Sequence, residues 1–311
     1  MDPRSAVTDA AARSAAWVTG RLGRLVPAGA EGAADAAARR LTELALVEHQ
    51  LARRAPARFP RLSRSLDAHL DTWRAVLTER TRAASFARAA RARPAEAVHR
   101  VQPYLWLRAG GHRSAEGEEL LGALIAGGAR PRSPGQTYAL WRAGCLRRAP
   151  DWAGLWRSWV LGLAGRTATA DGPAVYDATH AIFYGTDFGF ARPGLTPAEL
   201  SASRVIVGEL LRRCLALHAW DAVLELALCA HLLGEPFERC ARALREVETV
   251  RHTDGSIPSS RAYEPGGPPA PDALRLSRIC HATLVHTLTC VTLATAEEKG
   301  GIPWAAPLTT T

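Results

Sequence analysis

The chain has 311 residues, of which 47% are hydrophobic, and it carries a formal net charge of +9. This length suffices for one large domain or two smaller ones, and this hydrophobic content excludes a chain that is disordered throughout. Ala and Leu, which favour helix, dominate, whereas runs of β-branched and aromatic residues are scarce. We therefore predict an all-α protein.

The first two predicted segments are an N-terminal arm and an Arg-rich helical half. Residues 1–30 are expected to form a loose arm that contains at most one helix. Residues 31–166 are expected to form a helical half whose elements are separated by Gly and Pro signals. The helices predicted within it cover about 33–54, 62–82, 95–108, 115–127, 135–148 and 151–164.

A break at residues 167–174 precedes the second half, residues 175–296, and we expect the two halves to form one continuous domain. The helices predicted in it cover about 175–188, 197–217, 219–233, 236–250 and 273–296. The Pro- and Gly-rich loop 251–272 is either a lid or a surface linker, and residues 297–311 are a tail. Medium helices with short turns predict antiparallel pairs in an α/α-toroid-like or curved helical array.

The positive charge is almost entirely arginine, because Lys299 is the only lysine. Residues 53–108 contain thirteen Arg against four acidic residues. Such a surface could attract phosphate, nucleic acid or an acidic partner. We favour the alternative of solvated helix faces whose Arg stems cover apolar surface. The sequence contains no nucleic-acid-binding motif, so we expect no nucleic-acid partner.

Six cysteines occur without a Cys-x-x-Cys pair, and the N-terminal residues lack the apolar segment of a signal peptide. We therefore expect reduced thiols in a cytoplasmic protein. The longest uncharged run, residues 279–296, is nearly long enough to cross a membrane, but it contains two His and five Thr. We interpret it as a buried core helix and expect no membrane association.

Ionisable and aromatic residues concentrate in the segment YDATHAIFYGTDFG, residues 176–189. On a helix, Asp177, His180, Tyr184 and Asp187 are spaced three, four and three apart and share one face. A carboxylate could fix the tautomer of His180 and leave its other nitrogen for a metal or a proton. We interpret all four as catalytic, with the two Asp as bases or oxygen ligands and Tyr184 as a donor. One alternative is a buried network that only fastens helices together. Another is a helix break at Gly185 or Gly189, which would remove Asp187 from the shared face.

The last predicted helix contains the next cluster, ICHATLVHTLTC, residues 279–290. If this helix packs beside residues 176–188, His281 completes a site with His180 and Asp187. These three residues would then be metal ligands, and their types favour zinc, with iron or manganese next. The alternative for His281 is a core histidine whose hydrogen bonds are satisfied.

The segments YDATHAIFYGTDFG, DGS and HATLVH together resemble an uncharacterised group of actinobacterial all-helical proteins that is often associated with natural-product gene clusters. The resemblance covers about the last 140 residues. It implies that one set of residues acts together: Asp177, Thr179, His180, Asp187 and His281.

A weaker resemblance is to α/α-toroid enzymes such as prenyltransferase β-subunits and lanthionine cyclases, which bind zinc through Asp, Cys and His. The pair Cys280-His281 is similar to the adjacent Cys-His ligands of the cyclases. The Gly that follows this pair in the cyclases is Ala282 here, and no Trp-Cys-Tyr-Gly motif precedes it.

Two functions follow from these observations. The first is a metal-assisted or acid–base enzyme of specialised metabolism that acts on a small-molecule or peptide substrate. The second is a non-catalytic helical-array protein that binds a peptide, a carrier or a regulatory partner through its Arg-rich half. An enzyme predicts that the two C-terminal clusters converge in a closed cavity, whereas a binding protein predicts a dispersed polar stripe and a continuous basic groove.

Overall fold

The computed structural model describes residues 3–27, 35–54, 60–266 and 272–296. Within these ranges every regular element is helical, which confirms the all-α prediction; the toroid or curved array stays a prediction. The helices are α1 Pro3–Thr19, α2 Leu22–Leu25, α3 Asp35–Arg54, α4 Pro60–Arg82, α5 Ala84–Ala92, α6 Ala97–Ala109, α7 Ala115–Ala126, α8 Pro134–Arg142, α9 Trp152–Trp159, α10 Gly172–Gly185, α11 Pro197–Ala216, α12 Trp220–Leu232, α13 Phe237–Thr249 and α14 Asp272–Ala296. None of the helices in these ranges has the length and apolar character needed to cross a membrane.

The chain divides into two compact units, and the division lies at residue 151 rather than at the break predicted for 167–174. Unit 1 combines residues 1–14 with 151–311, and unit 2 comprises residues 15–150. The segment 167–174 instead contains a short 3-10 turn and the residue that caps the N-terminus of α10. A Gly- and Pro-rich segment can therefore begin a helix inside a unit as well as separate two units.

The N-terminal segment differs from the expected loose arm, because residues 3–19 form helix α1. Ala11, Ser14, Ala15 and Val18 on this helix are fully buried. Their spacing of three, one and three places them on one face, and their small side chains allow close packing. The end of the expected arm, residues 28–30, and the expected tail, residues 297–311, lie outside the described residues.

The Arg-rich helices of unit 2 pair much of their charge internally. Here α3 packs on α4 and α6, and α6 also packs on α8. Arg74 contacts the buried Glu48 at 2.6 Å, and Arg108 contacts Glu118 at 2.8 Å. Ion pairs of this kind offset part of the excess positive charge that the composition of residues 53–108 implies.

Helix α12 is the centre of unit 1, because it packs against α10, α11, α13 and α14. Its residues 223–232 are all buried. The sequence of this stretch, VLELALCAHL, is apolar on almost every side, as expected for a helix enclosed by others. Glu225 is therefore held in the core by a helix without a solvent-facing side.

A network of buried polar groups joins α1, α13 and α14 within unit 1. His286 is fully buried, with Nδ1 3.0 Å from Ser14 Oγ and Nε2 2.9 Å from Glu248 Oε1. Arg251 binds Glu248 at 2.6 Å and donates to the Ser14 hydroxyl at 3.1 Å. Each buried polar group thus has a partner, which fastens α1 to the C-terminal helices.

The charge states in this network follow from burial and from the partners. Burial lowers the pKa of His286. Burial alone would raise the pKa of Glu248, but the hydrogen bonds from His286 and Arg251 outweigh burial and hold the pKa below its usual value. At neutral pH the network therefore contains anionic Glu248, cationic Arg251 and neutral His286.

We predict that acid destabilises unit 1 through this network. The folded-state pKa values of His286 and Glu248 lie below those of the unfolded chain, so the unfolded state binds more protons and stability falls as pH decreases. The loss begins below the ordinary histidine value of 6.5 and increases below the ordinary glutamate value of 4.5. Thermal unfolding followed by circular dichroism across this range measures the effect.

A pair of variants on α13 tests which residue is responsible. Glu248→Gln removes the anion between His286 and Arg251, and we expect it to lower the free energy of unfolding by about 2 kcal/mol at neutral pH and to flatten the pH dependence. The exposed Glu246→Gln on the same helix is the control, with an expected change within about 0.5 kcal/mol. Equal losses in the two variants would contradict the assignment.

Candidate functional site

Three helices of unit 1 bring five polar side chains together. Thr179 and His180 come from α10, Asp221 and Glu225 from α12, and His281 from α14. Helices α10 and α14 both pack against α12, so Glu225 lies between side chains of the other two helices. We call these five residues the Glu225 cluster.

The cluster contains a chain of close polar contacts that runs from one imidazole to the other. His180 Nδ1 lies 3.2 Å from Thr179 Oγ1, and the Thr179 hydroxyl lies 2.6 Å from Glu225 Oε2, to which it donates. On the other side, His281 Nε2 lies 3.4 Å from Glu225 Oε1. One buried carboxylate thus connects two histidines from different helices.

The tautomer of His180 follows from its contact with the backbone. Its Nδ1 lies 2.9 Å from the carbonyl oxygen of Tyr176, which can only accept a hydrogen bond. Nδ1 therefore donates, and in the neutral ring the lone pair is on Nε2, which no hydrogen bond from the described residues engages. A backbone carbonyl thus sets the tautomer, and the expectation that a carboxylate does so is wrong.

Burial and charge give the two central groups different protonation states. Burial lowers the pKa of His180, and the negative charge of Glu225 opposes this shift only in part. Burial alone would raise the pKa of Glu225, but His180, His281 and the Thr179 hydroxyl outweigh it and lower the pKa. At neutral pH an anionic Glu225 therefore lies beside a neutral His180.

Aromatic rings surround His180 and leave part of it accessible. Tyr176 stacks on the imidazole with ring centroids 3.7 Å apart, and Phe183 and Tyr184 meet it edge-on at 5.6 and 5.7 Å. The side chains of His180 and His281 retain 15% and 26% exposure, against 7% for Glu225. Both imidazoles can therefore be approached from outside, whereas the carboxylate lies beneath them.

Asp221 adds a second carboxylate one helical turn before Glu225. Burial raises its pKa, the positive charge of His281 opposes this shift, and Glu225 reinforces it. The Asp221 amide donates to the Ser259 carbonyl at 3.0 Å, and the Ile257 amide donates to Thr283 Oγ1 at 3.0 Å. With residues 256–259 buried, this part of the loop supports the site, unlike the lid or surface linker that we expected.

The structure brings two of the five predicted site residues, His180 and His281, to the same carboxylate. Asp177 is half-buried near His180; burial raises its pKa, and His180 opposes the shift. Tyr184 is buried, and its ring packs between His180 and Trp152. The catalytic roles of these residues stay predictions.

Asp187 does not share the helix face of the others, because α10 ends at Gly185 instead of continuing to residue 188. A Cβ at Gly185 would lie 2.7 Å from Trp156 Cε3, so α9 and α10 approach where only glycine fits. Asp187 follows in a 3-10 turn, is buried, and has a left-handed φ of 47°. The predicted polar stripe therefore stops at Tyr184.

The predicted metal ligands gain no support from this geometry. Among the residues that the structure describes, no group of three or more His, Cys, Asp and Glu side chains is arranged to hold a metal ion. His180 Nδ1 is engaged by the Tyr176 carbonyl, and Asp187 lies beyond the end of α10. Zinc, iron or manganese binding by His180, Asp187 and His281 stays a prediction.

Glu225 and Asp221 were not among the predicted site residues. A signal for Glu225 was present, because it is the only acidic residue between positions 222 and 232, in a stretch that is otherwise almost entirely apolar. A helix that is apolar on all sides is buried, and a buried carboxylate needs partners. That argument predicts a polar cluster around Glu225 but cannot name its partners on α10 and α14.

Comparison with known proteins identifies the family. The profile of a domain of unknown function, DUF6895, matches residues 11–291. The chain belongs to the DUF6895 family. The DUF6895 match includes the whole Glu225 cluster and extends well beyond the C-terminal segments that carry the resemblance. No curated protein and no solved structure matches the chain.

The DUF6895 match confirms the expectation of a family without an assigned function. The actinobacterial origin and the association with natural-product gene clusters stay predictions. The match also covers residues of both units, so the family is defined by more than the segments around His180 and His281.

We predict that Glu225→Gln lowers the pKa of His180 further, because the charge of Glu225 is the main influence that opposes burial. Long-range 1H–15N correlation spectra across a pH titration measure this pKa. The same spectra report the tautomer, and we expect a proton on Nδ1 of neutral His180.

Asp177→Asn is the matched control, because it also removes one negative charge near His180. The effect of Asp177 on this pKa is smaller than that of Glu225, so we expect a smaller downward shift. A larger shift in Asp177→Asn than in Glu225→Gln would mean that Asp177, rather than Glu225, is the main electrostatic partner.

Proposed function

We propose that this protein is an acid–base enzyme that acts on a small-molecule or peptide substrate at the Glu225 cluster. The observation that carries the proposal is a neutral, part-exposed imidazole of fixed tautomer above a buried anionic carboxylate. Perturbed titratable groups of this kind concentrate at catalytic sites. The placement in specialised metabolism rests on the family resemblance alone.

In this proposal His180 is the base. Its Nε2 takes a proton from the substrate while Nδ1–H remains bound to the Tyr176 carbonyl. The imidazolium that forms interacts with anionic Glu225, 3.9 Å from Nδ1, and the Thr179 hydroxyl lies between them. A low local dielectric strengthens this attraction and favours the charged product of proton transfer.

His281 is the proposed acid. Its Nε2 lies 3.4 Å from Glu225 Oε1, so this carboxylate stabilises a proton on His281 from the side opposite to His180. A proton removed at His180 and a proton delivered from His281 together complete a general acid–base reaction without net change in the charge of the site. Asp221, whose charge interacts with His281, is a positioning residue in this scheme.

A metal-assisted reaction is the variant that we predicted from the residue types, with zinc first and iron or manganese next. Elemental mass spectrometry of the purified protein tests it, alongside the His180→Ala and Asp187→Ala variants. Near-stoichiometric metal that is lost in both folded variants would favour the metal-assisted reaction over the acid–base reaction. A folded wild-type protein that takes up none of the three ions would exclude the metal-assisted reaction.

Non-catalytic binding of a peptide, a carrier or a regulatory partner is the second candidate function. The observation that favours it is a groove between α11 and α13, to which no residue of the Glu225 cluster contributes. This groove belongs to unit 1, whereas we predicted binding through the Arg-rich half, and binding through that half stays a prediction. The two functions are compatible, because a groove and a catalytic site on one unit can serve different ligands.

We predict that the wild-type protein changes at least one compound of a bacterial metabolite extract, and that this change requires His180. Incubation in D2O followed by mass spectrometry detects both chemical conversion and deuterium introduced by proton transfer. His180→Gln should reduce the rate by about 10²- to 10⁴-fold, the usual contribution of a general base. The rate should rise with pH through the pKa of His180, which lies below 6.5.

Tyr176→Phe is the control for this experiment. It retains the backbone carbonyl that holds His180 Nδ1 and a ring that can stack on the imidazole, so we expect near-normal activity. Conversion at an equal rate by His180→Gln would contradict the proposed base. A compound that copurifies with the protein unchanged, with no conversion by the wild type, would favour the binding function.

A further inference from the structure

A long groove with a volume of about 880 Å³ lies between α11 and α13, the two helices that flank α12. The lining residues span 204–215 on α11 and 239–250 on α13. At 1.5 Å per residue, each wall is about 16 Å long, which corresponds to three turns of helix. Two walls of this length suit an elongated occupant, as in complexes where a helix lies in a groove.

The inner surface of the groove is largely apolar. Val205, on α11, is 61% exposed and extends this apolar surface outward. Small residues from α12 and α13 leave space between the walls. The apolar lining residues are Val205, Leu211, Leu215, Ala230, Ala243 and Val250.

Four arginines and three glutamates line the same groove, and several of them have partners. Arg239 binds Glu235 at 2.5 Å, and Glu209 accepts a hydrogen bond from the Thr167 hydroxyl at 2.5 Å. Arg212 on α11 and Arg242 on α13 have no hydrogen bond or ion pair with any residue that the structure describes, and neither does the exposed carboxylate of Glu246 on α13. The lining arginines exceed the lining glutamates by one. An exposed guanidinium without a partner thus stands on each wall of an apolar groove.

We propose that this groove binds an amphipathic, acidic helix of a partner protein. The apolar side chains of the partner helix cover the inner surface of the groove. Carboxylates on the two flanks of the partner helix pair with Arg212 and Arg242. Arginine forms bidentate hydrogen bonds with carboxylates, which favours an acidic partner over a basic one. This binding site is separate from the proposed acid–base reaction and does not depend on it.

Synthetic helical peptides test the proposal on the full chain. The first probe has leucines at the i, i+3, i+4, i+7 spacing and glutamates on both flanks; a matched probe has lysines in place of the glutamates. We expect the acidic peptide to bind at least about tenfold more tightly than the basic one by fluorescence anisotropy, and more weakly as salt increases. The double variant Arg212→Glu, Arg242→Glu should reverse this preference.

A second variant blocks the groove without changing charge. A Cβ at Gly208, which lines the groove on α11, meets no atom within 4 Å, so Gly208→Leu should fold normally and weaken the acidic peptide at least about tenfold. The controls are Gly122→Leu, at another helical glycine with open space, and Arg245→Glu, at an exposed residue of α13 outside the groove. Both controls should bind within about twofold of wild type.

Several outcomes would overturn the proposal. One is that the acidic peptide does not bind, and another is that the acidic and basic peptides bind equally. A third is that Gly208→Leu and its control Gly122→Leu weaken binding of the acidic peptide equally. Light scattering of the wild type measures its oligomeric state and tests whether a second copy of this chain occupies the groove. A dimer that Gly208→Leu converts to a monomer would assign the groove to a second copy of this chain instead of an acidic partner helix.

Discussion

The burial of α12 from residue 223 to residue 232 is the constraint on which unit 1 depends. Four helices pack around it, and its residues 223–232 have no solvent-facing side. Such a helix cannot hold a charged residue unless other helices bring it partners, because an unpaired buried charge is strongly destabilising. Glu225 meets this requirement with a hydroxyl and an imidazole from α10 and a second imidazole from α14. The same constraint that organises the core therefore brings the polar side chains of the Glu225 cluster together.

Unit 1 contains two buried carboxylate–histidine networks, and accessibility separates their roles. The contacts among Ser14, His286 and Glu248 have the order of a catalytic serine triad, at 3.0 and 2.9 Å. Both Ser14 and His286 are fully buried. Arg251 also binds the Glu248 carboxylate and the Ser14 hydroxyl. A substrate cannot reach that serine, so the network serves as a fastening between helices. At the Glu225 cluster the carboxylate is buried, but both histidines remain partly exposed.

The family match and the geometry answer different questions. Membership of the DUF6895 family shows that residues 11–291 form a recurring unit of sequence, but the family description assigns no chemistry. The chemistry is argued from the tautomer of His180 and from the opposite effects of burial and pairing on His180 and Glu225. A fold of packed helices is compatible with many functions, so only the site can support a particular one.

The sequence by itself determined the helical class and most helix positions in the second half. These are properties of local composition and of periodicity, which act over one or two helical turns. The structure instead ends α10 at Gly185, and the left-handed φ values of Asp187 and Phe188 that follow remove Asp187 from the predicted stripe. Only the tertiary structure decided that Glu225 joins His180 to His281, because residues 180, 225 and 281 are far apart in the chain. Their contact results from the packing of three helices, which no spacing within one helix encodes.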